Sequence, residues 1–342
     1  MIAIPAVVLA FDTRLILHDV GIPAPAGTRI GSSGTSPIIV NHAKCDFVRH
    51  DRIPDAAIIR AKQVLHVAYG HTSHGSQLIT GMDGLPSFKE GQGGTPGLYD
   101  WNDGPLAGAL DIDDYAFPDD VGYAGWDSST RDYLNDPGNA DVNVVIWSWC
   151  GQVNDYHDQT MIDHYLGPMS RLEADYPGVS FVYMTGHLEG EGAALVPGTT
   201  YYSNEQIRRY CRDNNKILYD FADIESYTPD GIDVLRKGAD DTCAYDPDGV
   251  EPFDRTANWA TEWQASHAEG VDWYACSPAH TEAVNGNFKA YAAWYLWARL
   301  AGWVEEPLNP HVEIIAIVVI AGGAVAVVAI VSIHRKRRAN EI

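Results

Sequence analysis

Short apolar runs alternate with segments at helical spacing along most of the chain. Leu65 to Tyr69 reads as a buried strand, as do 141–149, 179–184 and 216–220. Apolar residues recur at helical spacing over 53–62, 161–176, 205–214 and 287–300. Pro177-Gly178 stops the second of these helices and Gly302 closes the last. Near-continuous apolar strands alternating with helices predict a mostly parallel sheet covered on both faces, a doubly wound α/β fold. Residues 1–44 carry no clear period and read as a leader and irregular arm, with 1–10 resembling a weak signal peptide. Residues 87–138 and 226–275 are rich in Gly, Asp and aromatic residues and read as long irregular loops.

The pattern changes at the carboxyl end. Residues 304–310 contain two prolines, and a linker over 304–313 leads to 20 uncharged, mostly apolar residues, 314–333. At about 1.5 Å per residue such a run spans a hydrocarbon core of about 30 Å as one helix. Arg335, Lys336, Arg337 and Arg338 follow within a basic tail, 334–342. By the positive-inside rule this predicts a single-pass anchor contacting membrane lipid, with the tail cytoplasmic and the body, 45–303, outside.

Composition sharpens this picture. The formal charge of −23 over 342 residues excludes a nucleic-acid partner, because phosphate contacts need a basic face. A hydrophobic fraction of 46% with ten tryptophans supports a sizeable core. Five cysteines with no CxxC pair argue against a zinc ribbon. For a body outside the cell, Cys243 and Cys276 are the expected disulfide, since both flank one long loop.

Polar clusters fall at the carboxyl ends of predicted strands, at 70–77, 150–154 and 185–187. In open α/β sheets ligands bind there, so the clusters predict one site at one sheet edge. Ser73 and Ser76 are the candidate nucleophiles, and His280, before the last helix, is the candidate base. Gly151 and Asn154 could hold an oxyanion. His71, His74, Gln77 and His187 are candidate substrate contacts. His71, His74 and His187 also allow a metal-dependent reading, although no HExxH-type signature is present and neither metal nor cofactor is expected.

The serine block His71-Thr-Ser73-His-Gly-Ser-Gln77, with Ala279-His280-Thr-Glu-Ala-Val-Asn285 before an aromatic helix, resembles the SGNH (GDSL-type) hydrolases over about 53–303. The likeness is to a branch with the serine in a His-x-Ser context. The resemblance implies a flavodoxin-like, three-layer α/β/α fold with Ser73 as nucleophile over Ser76. It also implies acyl or acetyl ester substrates, small or carried on surface glycans. The Asp expected three residues before the histidine is Ser277 here. That leaves a Ser–His dyad, or a triad whose acid comes from elsewhere, such as Asp272. A binding or envelope protein using the same fold without turnover is the rival class.

Overall fold

In the computed structural model, residues 36–305 are described in full, and 312–321 and 324–333 by their backbone. The described residues open with β1 (Ile38–Val40), α1 (His42–Arg49), α2 (Asp55–Val64), β2 (His66–Gly70) and α3 (Ser76–Gly91). They continue through β3 (Trp101–Asn102), β4 (Leu110–Phe117), α4 (Trp126–Asn135), β5 (Val144–Trp147), α5 (Asp158–Met161), α6 (Gly167–Asp175) and β6 (Ser180–Met184). Then come α7 (Thr200–Asp213), β7 (Ile217–Tyr219), α8 (Phe221–Glu225), β8 (Ala244–Tyr245), β9 (Ala257–Asn258), α9 (Trp259–Ser266) and α10 (Ala283–Leu300).

Seven strands form one sheet in the order β1-β7-β6-β5-β2-β4-β3, every neighbouring pair parallel. All residues of β5 and β6 are buried, as a strand covered on both faces requires. The doubly wound α/β expectation therefore holds. β2 sits in the middle. The chain leaves it toward β4 and β3, then returns to β5 on its other side. The loops after β2 and β5 thus diverge from adjacent strands, opening the kind of crevice in which α/β proteins bind ligands.

The most buried helix is α10, with all but two of its residues inside. It packs on α3, α1 and α2, while α4, α5, α6 and α7 contact one another and the other elements. α3 and α10 approach so closely that a Cβ on Gly81 would stand 2.1 Å from Gly286 O. Only glycine fits that crossing.

Several local expectations give way. The stretch read as an irregular arm supplies edge strand β1, which pairs with β7 in register from Ile38–Ile217 to Val40–Tyr219. The loop expected over 87–138 contains the end of α3, β3, β4 and α4. Those elements are hard to read because α3 carries Gly81, Gly84 and Pro86 inside it, and β4 interleaves three aspartates with its apolar positions. The helix expected over 161–176 is broken by a wide π-type turn, Ile162–Leu166. All five cysteines are free. Cys243 Sγ lies 3.2 Å from Thr281 Oγ1, and Cys276 Sγ faces Ala283 O at 3.5 Å, so the expected bridge is absent.

The run 314–333 is also not one helix. It lies within an antiparallel pair, β10 (Val312–Ala321) and β11 (Ala324–Ile333), with Val312 opposite Ile333. No helix among the described residues is long and apolar enough to cross a membrane. The physical reason lies in composition: Ile and Val are β-branched and favour strands.

Candidate active site

Five segments converge at the carboxyl edge of the sheet. The loop after β2 begins with a register shift between Tyr69 and Gly70. It is held by Ser148 N–H donating to Gly70 O (2.8 Å) and Tyr69 Oη–H donating to Gly75 O (2.9 Å). Gly75 is needed there for space, since a Cβ would stand 2.3 Å from His71 Cβ and 2.6 Å from Ser148 Cβ. This tight loop places the His74 imidazole beside the loop after β5. His74 Nδ1 lies 3.1 Å from Cys150 Sγ, and Nε2 lies 3.0 Å from Asp241 Oδ2. Asp241 comes from the long stretch after α8, and its N–H donates to Leu188 O (3.0 Å) beside β6.

Two more imidazoles flank His74. His187 stacks on it at 3.8 Å and 8°, and His280 at 4.4 Å and 14°. Rings that close and that parallel cannot share one face, so His74 is sandwiched between them. His187 is buried and His280 is exposed, making His280 the solvent-side leaf. His280 adopts φ +62°, a left-handed conformation uncommon outside glycine and typical of constrained functional positions.

Electrostatics follow from these contacts. Burial alone would lower the His74 pKa, but its bonds to Asp241 and Cys150 prevail and raise it to about 9. The His74 hydrogen bond pulls the Cys150 thiol below its ordinary value, against burial. Burial would raise Asp241, yet the bond to His74 and the neighbouring imidazoles hold it below the usual carboxylate range. A half-buried thiol, an imidazole bonded through both nitrogens and a carboxylate behind it have the arrangement of a nucleophile, its base and the group that orients the base.

The residues singled out from sequence fall in different places. Ser73 is half-buried, and its Oγ makes no hydrogen bond to His280 or to any other described group. Ser76 Oγ–H donates to Ser73 O (2.7 Å). Asp272 caps its own turn by accepting from Ala268 N (2.9 Å) and makes no contact with His280. Gly151 follows Cys150 directly, and the Asn154 side chain makes no hydrogen bond among the described residues. Gln77 is fully buried, and its Nε2–H donates to Ala279 O (2.6 Å), so it braces loops rather than facing the cleft. Both His71 nitrogens face acceptors, Asp114 Oδ1 at 2.6 Å and Thr72 O at 2.9 Å. Asp120 accepts from Thr72 N and Oγ1, and burial raises its pKa.

Cys150 and Asp241 had no assigned chemistry in the sequence reading. One signal for Cys150 was available: it follows a buried strand directly, as Ser73 nearly does.

Metal-type donors are also present. His74, His187 and Asp241 each bring a ligand atom within 4.8 Å of the others. The parallel rings of His74 and His187, however, hold their lone pairs in two separate planes, so both can ligate one ion only if a ring turns. His187 Nδ1 faces Leu188 O at 3.1 Å, and its buried Nε2 has no hydrogen-bond partner. Glu189 Oε1 stands 3.3 Å from that Nε2 without bonding it. A second donor set, His66, Asp111 and Asp113, lies at the amino end of β2, away from the cleft.

No family model, curated protein or solved structure matches the chain. Its function therefore rests on its own residues.

Proposed function

We propose that the chain is an acyl hydrolase whose nucleophile is Cys150, whose base and acid is His74 and whose orienting group is Asp241. The observation that carries this reading is the unbroken line from Cys150 Sγ through His74 to Asp241 Oδ2, at 3.1 and 3.0 Å. The Cys150 thiol gives its proton to His74 Nδ1, and the thiolate adds to the acyl carbonyl. The bond to the leaving group breaks as His74 returns the proton to it, leaving a thioester on Cys150. A water that gives its proton to His74 then attacks the thioester, releasing the acid and restoring the thiol. Gly151 N–H and the free Asn154 amide are the candidate oxyanion donors.

The parallel sheet and the resemblance to SGNH-type hydrolases support acyl esters, including acetyl groups on surface glycans, as substrates. The acidic body, the length and apolarity of 314–333 and the basic tail after it support a body outside the cell, held at a membrane; this placement needs 314–333 to cross as one helix and not as the β10–β11 pair, which sets Val312 beside Ile333. Protease shaving of intact cells, with loss of the body, tests this placement.

A serine mechanism with Ser73 retains one favouring observation: its Oγ is free of hydrogen bonds and lies in the same loop as His74. Hydrolysis of small aryl esters by the purified protein separates the two readings. Loss of turnover in Cys150→Ala with retention in Ser73→Ala supports the thiol. The reverse pattern, together with fluorophosphonate labelling that disappears in Ser73→Ala, assigns the serine. Full activity in both variants refutes both.

A further inference from the structure

Beneath the three stacked imidazoles lies a buried ion pair that the proposed chemistry does not touch. Lys289, on α10, and Glu225, at the end of α8, bond at 2.8 Å with 0% and 1% of their side chains exposed. Lys289 Nζ also donates to Gln77 Oε1, and it stands 4.0 Å from the centre of the Phe221 ring. An ammonium has three donors and no acceptor, so two hydrogen bonds and one aromatic face account for its whole capacity.

The far ends of this network reach the site loops. Gln77 donates through Nε2 to Ala279 O (2.6 Å), the residue before His280, and its N–H donates to His74 O (3.2 Å). Glu225 Oε1 accepts from Leu188 N (2.5 Å), the residue after His187. Each of the three stacked histidines is therefore tied, within one residue or through its own carbonyl, to a group that bonds Lys289. A buried ion pair is weak evidence for stability by itself, because apolar replacements of similar volume often serve as well.

We infer that Lys289 is a positioning residue for the proposed active site. It fixes the spacing of the His187–His74–His280 stack and thereby the alignment of His74 with both Cys150 and Asp241. The inference rests on the Cys150–His74–Asp241 reading. It makes Lys289, which touches neither substrate nor thiol, a requirement for turnover.

The test uses Lys289→Met combined with Glu225→Gln in the full chain, which removes both charges and keeps near-isosteric side chains. The amide introduced by Glu225→Gln can still accept from Leu188 N, while Gln77 loses its support. The expected result is a fold and urea midpoint close to those of the parent, with at least a tenfold fall in kcat for a small aryl ester. KM should change little, and Cys150 alkylation by iodoacetamide should slow at least tenfold. A folded double variant with parental kcat and alkylation rate overturns the inference. If the double variant does not fold, Gln77→Leu leaves the Lys289–Glu225 pair in place, removes the side-chain bonds of Gln77 to Lys289 and to Ala279, and is read the same way. Failure of the underlying reading is distinguishable: there, Cys150→Ala of the parent chain retains full hydrolysis, whatever the Lys289 variants do.

Discussion

Replacing Asp241 by Asn is the most direct probe of the proposed triad. The substitution keeps size and shape but removes the charge from an acceptor 3.0 Å from His74 Nε2. A hydrogen bond to a charged group contributes about 1.5–3 kcal/mol, and each 1.36 kcal/mol is tenfold in rate. The expected loss in kcat/KM is therefore about 10- to 150-fold. The pH profile carries a sharper signature. Hydrolysis needs an ionised Cys150 and a protonated His74, so the alkaline limb reports loss of the His74 proton, as a property of the coupled pair. That limb is expected near pH 9 in the parent, where the bonds to Asp241 and Cys150 overcome burial. In Asp241→Asn it should move down toward the ordinary histidine value of about 6.5.

Iodoacetamide labelling followed by peptide mass spectrometry provides a second readout. The other thiols resist ionisation: burial raises Cys45 and Cys211 well above the ordinary value and pushes Cys243 and Cys276 up to about 12. Near neutral pH, Cys150 should react first and Asp241→Asn should slow it. A variant profile superimposable on that of the parent refutes the role of Asp241.

Further outcomes follow from the same structure. Gly75→Ala places a methyl 2.3 Å from His71 Cβ, so it should lower unfolding free energy by about 1–3 kcal/mol in urea titrations and slow Cys150 alkylation. Asp223 accepts from His42 N (2.9 Å) and pairs with its Nδ1, and these contacts outweigh burial to lower its pKa. Its contribution is present above the unfolded carboxylate value of about 3.9 and is lost as pH falls. Urea midpoints of Asp223→Asn should therefore depend less on pH between about 5 and about 3 than those of the parent. Because Cys243 and Cys276 are free, a reducing agent should leave the melting temperature unchanged, and a fall of several degrees would restore the bridge.

Much of the sheet was legible from sequence because β2, β5, β6 and β7 are apolar runs buried on both sides. Their polar carboxyl ends also pointed to the edge where the stacked imidazoles gather. The chemistry was less legible. Cys150, His74 and Asp241 lie on three segments that no periodicity links, and Asp241 precedes β8 in a stretch whose strands are only two residues long. The five cysteines invited a reading as bridges or spare thiols, and His74 read as a neighbour of Ser73. Only the tight loop around Gly75 turns that ring toward the β5 loop. β4 escaped notice because Asp111, Asp113 and Asp114 give it the composition of a loop. All three carboxylates have histidine partners in or just after β2: Asp111 and Asp113 face His66, and Asp114 faces His71.

The position of α10 has a consequence for how the chain is made. This helix is the last element of the body to leave the ribosome, yet it packs against the first three helices. Until residues near 300 have emerged, α1, α2 and α3 lack the surface that covers them, and Gln77 and Glu225 lack their shared cation. Contacts this distant in sequence slow folding and leave apolar surface open during synthesis. Completion of the body is thus tied to the end of its own translation, and a product truncated before α10 would be both uncovered and chemically inert.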